Sequence, residues 1–522
     1  MCIISNMRDG TLQLDRLDPA VLNYIHELEA GINEYQSKYY LLKERYDVLV
    51  YKRFVRSAEQ LPEDTSQPPL FTGEGEPEQT AAPVEQKNET QDVKSYTRKK
   101  PGRKRIDPNI PRVEKIIDIP EDEKICACGH KMDKIGEETS EKVEIIPQSI
   151  FVVKTIRPKY ACRCCEGTAD EDSPAVKIAP APPAIIPRSI ASASLLSYVL
   201  IQKFQDHLPY YRQEVQFHRI GIGISRQDMS NWQQQGYARL EPLFALMRKA
   251  VKSGPVIQMD ETPVQVMGEE GRSDTQKSYM WLACGGPPGK PVVLYEYRET
   301  RGGYHAREIL EGYRGYLQTD GYPGYDAAIQ GLPGIIHVGC FAHARRKFFE
   351  ASKATKKPQS AEEGVKFIRK LYGLEDRLRE ENLSEKDFLA ERKKQAEPIL
   401  ASFRAWLNKR DNEVMRSSLL GQAVVYTLKQ WDKLAAYLES PYLTPDNNAC
   451  ENAIRPFVLG RKNWLFSKSP KGAESSCGMY TLIETAKQNM IEPLKYLREL
   501  FEKAPCASSP EDWDRLLPWN IF

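Results

Sequence analysis

A chain of 522 residues, 41% hydrophobic and 28% charged, is long enough for roughly two to four folded units rather than one. Its 74 Lys and Arg against 72 Asp and Glu leave a net charge of +2, which excludes a generally basic nucleic-acid coat and a disordered acidic protein. Any polyanion binding must come from local clusters. No stretch approaches about 18 consecutive apolar residues, and the first residues lack the charged and apolar regions of a signal peptide. A cytoplasmic protein with no membrane association is expected. Five of the eleven cysteines, Cys126, Cys128, Cys162, Cys164 and Cys165, sit in two tight groups, which fits a metal site in a reducing compartment better than a disulfide framework.

From Val21 the apolar residues step by four and three through Ile25, Leu28, Ile32, Tyr35, Tyr39, Leu42, Tyr46 and Leu49. This is an a/d seam, and it predicts a coiled-coil helix within residues 1–60 that pairs two protomers; the alternative is an amphipathic helix docked on the chain's own core. Residues 61–93 are rich in Pro, Gly, Ser, Thr and Glu with almost no large apolar side chain, so they read as a disordered linker. Residues 94–113 invert that composition. Lys94, Arg98, Lys99, Lys100, Arg103, Lys104, Arg105 and Arg112 face one acid, Asp107, and make a basic arm suited to phosphates or a minor groove.

Residues 114–170 hold Cys126-Ala-Cys128-Gly-His130 and Cys162-Arg-Cys164-Cys165, joined by two β-rich runs around Pro147. Paired cysteine knuckles on hairpin strands give a tetrahedral thiolate site, and a segment this short has too small a core without one. One zinc ion on Cys126, Cys128, Cys162 and Cys165 is expected, with His130 as a reserve ligand. Residues 171–250 return to helical periodicity. There HLPYYRQEVQFHRIGIGISRQDMSNWQQQ reads as a helix, a turn at Gly221 to Gly223 and a second helix capped by Ser225, with Arg226, Gln227 and Asn231 outward. That order is helix-turn-helix, whose second helix reads a major groove.

At Pro255 the period changes again. Pro255-Val-Ile-Gln-Met-Asp260 reads as a buried strand ending in an acid and then a turn, and a further strand ends at Gly315-Tyr-Leu-Gln-Thr-Asp320. YMWLACGG, PVVLYEY and IIHVGC supply more strands, so residues 251–350 suggest a mixed sheet with helices on its faces. An Asp at the end of a core strand is costly unless it faces a cation or a hydrogen bond, and two of them argue for a shared metal centre. The third acid needed is Glu451 in Pro445-Asp-Asn-Asn-Ala-Cys-Glu451-Asn-Ala-Ile-Arg455, at a helix opening that Asp446 or Asn447 can cap.

Taken with YKRFVRSAEQL, KYACRCC, HLPYYRQE, GIGISRQDMSNW, VIQMDETPVQV, GYLQTDGYPGY, GCFAHARRKFF and DNNACENAIRPFVLGRKNWLFS in this order, nearly the whole chain resembles the insertion-sequence-66 family of bacterial DDE transposases. The resemblance implies a multidomain, mainly α protein with an α/β ribonuclease-H-like catalytic core. Its first part is residues 251–350 and its second 441–490, with a helical insertion at 351–440 and a C-terminal tail at 491–522. It implies Asp260, Asp320 and Glu451 as the catalytic triad. It also implies terminal inverted repeats and target DNA as partners, a homodimer or higher synaptic assembly, and small companion proteins of the same element.

Hydrolysing a phosphodiester and joining the freed 3′-hydroxyl to another strand are both in-line displacements at phosphorus, served by two hard cations on oxygen ligands. Two Mg²⁺ or Mn²⁺ are expected, Asp260 bridging, Asp320 holding one and Glu451 the other. Arg455, Arg461 and Lys462 would meet phosphates, although Pro456 and Gly460 argue against one straight helix through all of them. Trp464 and Phe466 read as core residues or as a stacking platform for an unpaired base. His343 with Arg345, Arg346 and Lys347 forms a further basic cluster for DNA or the active site, while Cys340-x-x-His343 reads mainly as packing or hydrogen bonding, with metal ligation as the alternative. Glu261 should point away from Asp260 and act structurally. A catalytically idle zinc-containing DNA-binding protein and a metal-dependent nuclease on the same fold are the competing readings.

Overall fold

The computed structural model describes residues 19–54, 150–161, 176–354 and 359–522. The linker, the basic arm with Arg98, Lys99, Lys100, Arg103, Lys104 and Arg105, and the cysteines Cys126, Cys128, Cys162 and Cys165 lie outside them. The chain divides into residues 74–180 and a unit formed by 1–73 with 181–522. In the smaller unit β1 (Lys159–Ala161) pairs antiparallel with β2 (Val176–Ile178), and Arg157 donates to the Ala179 carbonyl at 2.9 Å. The strand leading to Cys162 is shorter than its composition suggests, since residues 150–158 are irregular.

In the larger unit the apolar runs assemble one sheet. Its strands β3 (Val256–Val266), β4 (Lys277–Gly285), β5 (Val292–Arg298), β6 (Gly315–Gln318) and β7 (Ile335–Val338) lie in the order β5-β4-β3-β6-β7. The β3–β4 and β4–β5 pairs are antiparallel, and β3–β6 and β6–β7 parallel. Parallel neighbours need crossovers, supplied by α6 (Gly303–Leu310) before β6 and α7 (Pro323–Ile329) before β7. A short β8 (Phe466–Ser467), not foreseen from the sequence, adds to β3 at Gln265 and Val266.

β3 does not end at Asp260 as its turn-like Thr-Pro sequence suggests; it continues through Pro263 to Val266. On the side away from β4 it is paired only at Val256 to Gln258, by β6, and at Gln265 and Val266, by β8. Pro263 falls in the interval without a strand partner on that side, where a missing N–H is tolerated. Alternation along β4 defines the two faces of the sheet: Met280 meets Cys477 on one, and Trp281 packs edge-on against His305 of α6 and Tyr325 of α7 on the other.

The Met280 face is covered by α13 (Asn448–Trp464) and α14 (Pro470–Gln488), with α2 (Ala193–Phe204), α3 (Tyr210–Arg219), α4 (Arg226–Arg239) and α5 (Glu241–Val251) in the same hydrophobic core. The C-terminal segment is built into this core too. Tyr496, Leu497, Leu500 and Phe501 of α15 (Pro493–Lys503) are buried, and α16 (Pro510–Asp514) follows beside α5. Contrary to expectation, α13 runs unbroken through Pro456 and Gly460. The hydrogen bond lost at an interior proline is compensated by burial of Ile454 and Phe457, and Gly460 leaves room for the Trp464 ring and the Tyr480 hydroxyl, which a Cβ there would strike.

Between β7 and α13 the described chain is helical, as α8 (Phe341–Ala354), α9 (Gln359–Glu380), α10 (Glu385–Glu413), α11 (Leu419–Lys429) and α12 (Trp431–Ala435), with its own core of Phe348, Ile368, Phe403, Trp406 and Val424. Arg392 is fully buried there. Its guanidinium bonds Glu375 at 2.6 Å and the carbonyls of Tyr437, Ser440 and Leu443 at 3.1, 2.8 and 2.9 Å. Removing it leaves Glu375 with only the part-exposed Arg379 at 2.6 Å and takes one donor from each of three carbonyls, so Arg392→Leu is expected to cost about 3 kcal/mol in a denaturant melt.

The N-terminal helix α1 (Pro19–Phe54) lies against α8, and its Glu44 carboxylate accepts the Leu419 N–H at 3.1 Å. Its seam remains open: Leu28, Ile32, Tyr35, Tyr39, Leu42, Tyr46 and Leu49 are 48–75% exposed. No helix among the described residues is long and apolar enough to cross a membrane.

Candidate catalytic carboxylate centre

Two adjacent parallel strands carry the same short pattern, Gln-x-Asp, and their register aligns the patterns. Gln258 of β3 pairs with Gln318 of β6, so Asp260 and Asp320 follow at equivalent places, two residues further along each chain. The glutamine side chains bond to each other, Gln258 Nε2 donating to Gln318 Oε1 at 2.8 Å. Each also holds the segment that delivers the third acid: Gln258 Oε1 accepts the Cys450 N–H at 3.1 Å, and Gln318 Nε2 donates to the Thr444 carbonyl at 2.7 Å. Glu451 follows Cys450 in the first turn of α13 and is 2% exposed. The glutamine bridge was missed in the sequence, although the repeated Gln-x-Asp was its visible signal.

The three carboxylates feel one another. Burial, then the charges of Glu261, Glu451 and Asp320, hold the Asp260 carboxyl well above the usual range. Burial pushes Glu451 up to about 7 against the opposing pull of Arg346 and Arg455, with Asp446 and Asp320 adding to the rise. Asp260 Oδ1 accepts the Glu261 N–H at 2.8 Å, and Asp320 Oδ1 the Tyr322 N–H at 2.9 Å. Both carboxylate oxygens of Glu451 are buried without a hydrogen-bond partner. Clustered carboxylates with unsatisfied oxygens at neutral pH call for hard cations, and the all-oxygen donor set of Asp260, Asp320 and Glu451 suits magnesium or manganese.

Glu261 points to the opposite face, as alternation demands. Its carboxylate is bound by Arg301 at 2.5 Å and by the Tyr325 hydroxyl. Arg301 lies 3.9 Å from the Tyr322 ring centroid, and the field of Asp320 reaches it. Beside Asp320, the Thr319 hydroxyl meets His337 Nε2 at 2.8 Å, while His337 Nδ1 meets Asp326 at 2.9 Å and Asp326 is paired with Lys433 at 2.6 Å. This chain of contacts fixes the loop that carries Asp320. Neither Arg301 nor His337 carried a sequence signal, because each is brought to the centre by a separate loop or strand.

Of the expected cations, His343 and Arg346 reach the centre. His343 Nδ1 is 3.7 Å and Arg346 Nη2 4.0 Å from the Glu451 carboxylate, and burial together with Arg346 pushes the His343 imidazole down to about 4. Arg455 is close enough to Glu451 to lower its pKa. The charge of Arg345 reaches the buried Tyr372 hydroxyl. Arg461 donates from Nη1 to the Thr262 hydroxyl and the Pro263 carbonyl, in the unpaired interval of β3. Lys462 is exposed. Trp464 packs edge-on against Phe204 in the core, whereas Phe466 is 42% exposed. The expected cap of α13 is indirect, with Asp446 accepting the Asn448 N–H at 3.1 Å while the Asn447 side chain makes no capping bond.

The helix-turn-helix order is also present in three dimensions. α3 ends at Arg219, Gly221 turns the chain at φ +80°, and α4 opens with a reciprocal Ser225–Asp228 capping box. Met229, Trp232 and Gln233 are buried, leaving Arg226, Gln227 and Asn231 on the solvent side, the last two bonded to each other at 2.9 Å.

A mixed sheet with a carboxylate cluster along its parallel seam, beside a helix-turn-helix, describes a DNA-processing protein, and comparison with known families names the kind. Residues 188–475 match the transposase IS66 family, 123–166 the zinc-finger binding domain of transposase IS66, 481–519 the IS66 C-terminal element and 41–114 the family described as transposase C of IS166 homeodomain. The chain belongs to the IS66 family of transposases. The zinc-finger match spans all four cysteines expected to hold zinc. Uncharacterized proteins y4hP, y4jD and y4qI of Sinorhizobium fredii are 32%, 30% and 31% identical to it over 83%, 79% and 80% of this chain and 79%, 80% and 77% of their own lengths.

Proposed function

We propose that this transposase cuts DNA at the ends of its element and joins the freed 3′-hydroxyl to target DNA, on a ribonuclease-H-like core whose acids are Asp260, Asp320 and Glu451. One observation carries the reading: β3 and β6 set Asp260 and Asp320 at equivalent places, and the Gln258 bridge holds Cys450, and with it Glu451 at the start of α13, against them although it is remote in sequence. The sheet, an antiparallel three-stranded meander extended by two parallel strands, supports the core assignment. Two Mg²⁺ or Mn²⁺ held by these side chains would activate the attacking oxygen and stabilise the leaving one. The chain's own groups do the rest. Gln258 and Gln318 fix the acids in register, and Arg346 and Arg455 temper the charge around Glu451. Arg346 and His343 lie where a flanking phosphate would pass, and Lys462 offers a further exposed cation.

DNA is held, in this reading, by Arg226, Gln227 and Asn231 of α4 in a major groove and by the basic arm on phosphates. One zinc ion on Cys126, Cys128, Cys162 and Cys165 shapes the segment between them, and the open seam of α1 joins two protomers. Incubation with terminal-repeat DNA, target DNA and magnesium should yield joined products. Cleaved but unjoined strands would instead identify a nuclease, and binding without either would identify an idle DNA-binding protein. Replacing Cys162 and Cys165 by Ser should release the zinc, read by elemental analysis, and weaken binding to terminal-repeat DNA; full zinc stoichiometry in that variant would remove these two ligands.

A further inference from the structure

Cys340 stands at the turn into α8, and His343 follows in its first turn. With Glu451 they bring a sulfur, an imidazole nitrogen and a carboxylate oxygen within 4.8 Å of one another. The Cys340 sulfur meets the backbone N–H groups of Asn447 and His343, but local bonding does not account for the other two donors. Both Glu451 oxygens and His343 Nδ1 are buried without hydrogen-bond partners, and the 3.7 Å between His343 and Glu451 is too long for a hydrogen bond. A tetrahedral ion about 2.0–2.3 Å from its ligands separates its donors by roughly 3.3–3.8 Å, so the spacing fits after small side-chain adjustments.

We propose that Cys340, His343 and Glu451 form a site for a thiophilic divalent cation such as zinc, bordering the all-oxygen centre and sharing Glu451 with it. The donor chemistry separates the two sites. Magnesium takes oxygen ligands, whereas thiolate and imidazole favour zinc or cobalt. As the sulfur–metal bond forms, the thiol proton leaves to water. The ion draws Glu451 toward α8, away from Asp260 and Asp320, so zinc inhibits magnesium-dependent cleavage; that consequence, unlike the binding itself, rests on the proposed reaction.

The binding test uses the full chain stripped of metal and titrated with cobalt chloride. Subtracting the spectrum of Cys340→Ser from that of wild type cancels the contribution of the cysteines at 126, 128, 162 and 165, which both chains share. A sulfur-to-cobalt charge-transfer band should remain in the difference. Superimposable spectra would overturn the proposal. Should Cys340→Ser fail to fold, His343→Asn decides: its cobalt affinity at this site should fall by more than the about 10–100-fold typical of losing an outer-shell partner, and unchanged affinity would equally overturn it. Asp260→Asn should retain the band. Loss of the cleavage reading with the band intact therefore leaves the metal site standing, and the converse outcome separates them just as cleanly.

Discussion

Asp260→Asn and Glu451→Gln are each expected to lower DNA cleavage by at least about 10³-fold, some 4 kcal/mol of transition-state stabilisation, while the metal-free chain melts no lower than wild type. The two halves of this expectation have one cause. Burial disfavours the ionised forms of Asp260 and Glu451 and the neighbouring acids repel them, which raises Asp260 and carries Glu451 to about 7. A group whose folded pKa exceeds its unfolded value stabilises the fold most when protonated. For Glu451 that benefit is complete below its ordinary value of 4.5 and is lost as pH climbs from there to about 7. Above that window the ionised acid costs the apo fold about 3 kcal/mol, which a neutral glutamine avoids. Thermal melts in chelator should therefore show the Gln variant gaining on wild type at pH 8 and nearly matching it at pH 5. Saturating magnesium should erase the advantage by stabilising only the wild type. A variant that melted well below wild type at pH 8 would recast the residue as structural, and retained cleavage would remove it from the centre.

How much of this was readable beforehand depended on whether the signal was local. The strands announced themselves as apolar runs, and the acids as polar residues where a core strand should not carry them. α3 and α4 were legible from Gly221 and Ser225, whose roles are set within a few residues. The misreadings share a source. Pro263 seemed to close a strand and Pro456 to break a helix, because the local rule presumes that each backbone N–H has work to do. In the fold, β3 has no strand beside Pro263 on one side, and the burial of Ile454 and Phe457 carries α13 past Pro456. The bonds of Arg461 into the same unpaired interval of β3 were not visible locally, since its neighbours in sequence are simply basic. The seam of α1 was legible as a repeat. Its open apolar face is what a partner helix would cover, while Glu44 and α8 anchor another part of the same helix.

The second large effect should come from a residue that bears no charge. Gln258→Leu is expected to slow cleavage by about 10²-fold and to cost about 1–3 kcal/mol of stability, with DNA affinity unchanged. The substitution removes the acceptor of the Cys450 N–H and leaves Gln318 without its side-chain donor, in a region where neither can turn to water. Cys450 precedes Glu451, so the loosened backbone is the one that aims the third carboxylate. Gln318→Leu supplies the comparison. It breaks the bond to Thr444 but leaves Cys450 bonded to Gln258, so a similar loss of stability should accompany a smaller loss of rate. The discriminating measurement is the magnesium concentration giving half-maximal cleavage. Mis-aimed ligands raise it, whereas a fold that is merely less stable lowers the amount of active protein and leaves it where it was. Equal magnesium dependence in wild type and Gln258→Leu would reduce the glutamine pair to core packing, and a selective rise would make it the brace that joins the two halves of the centre across the helices between β7 and α13.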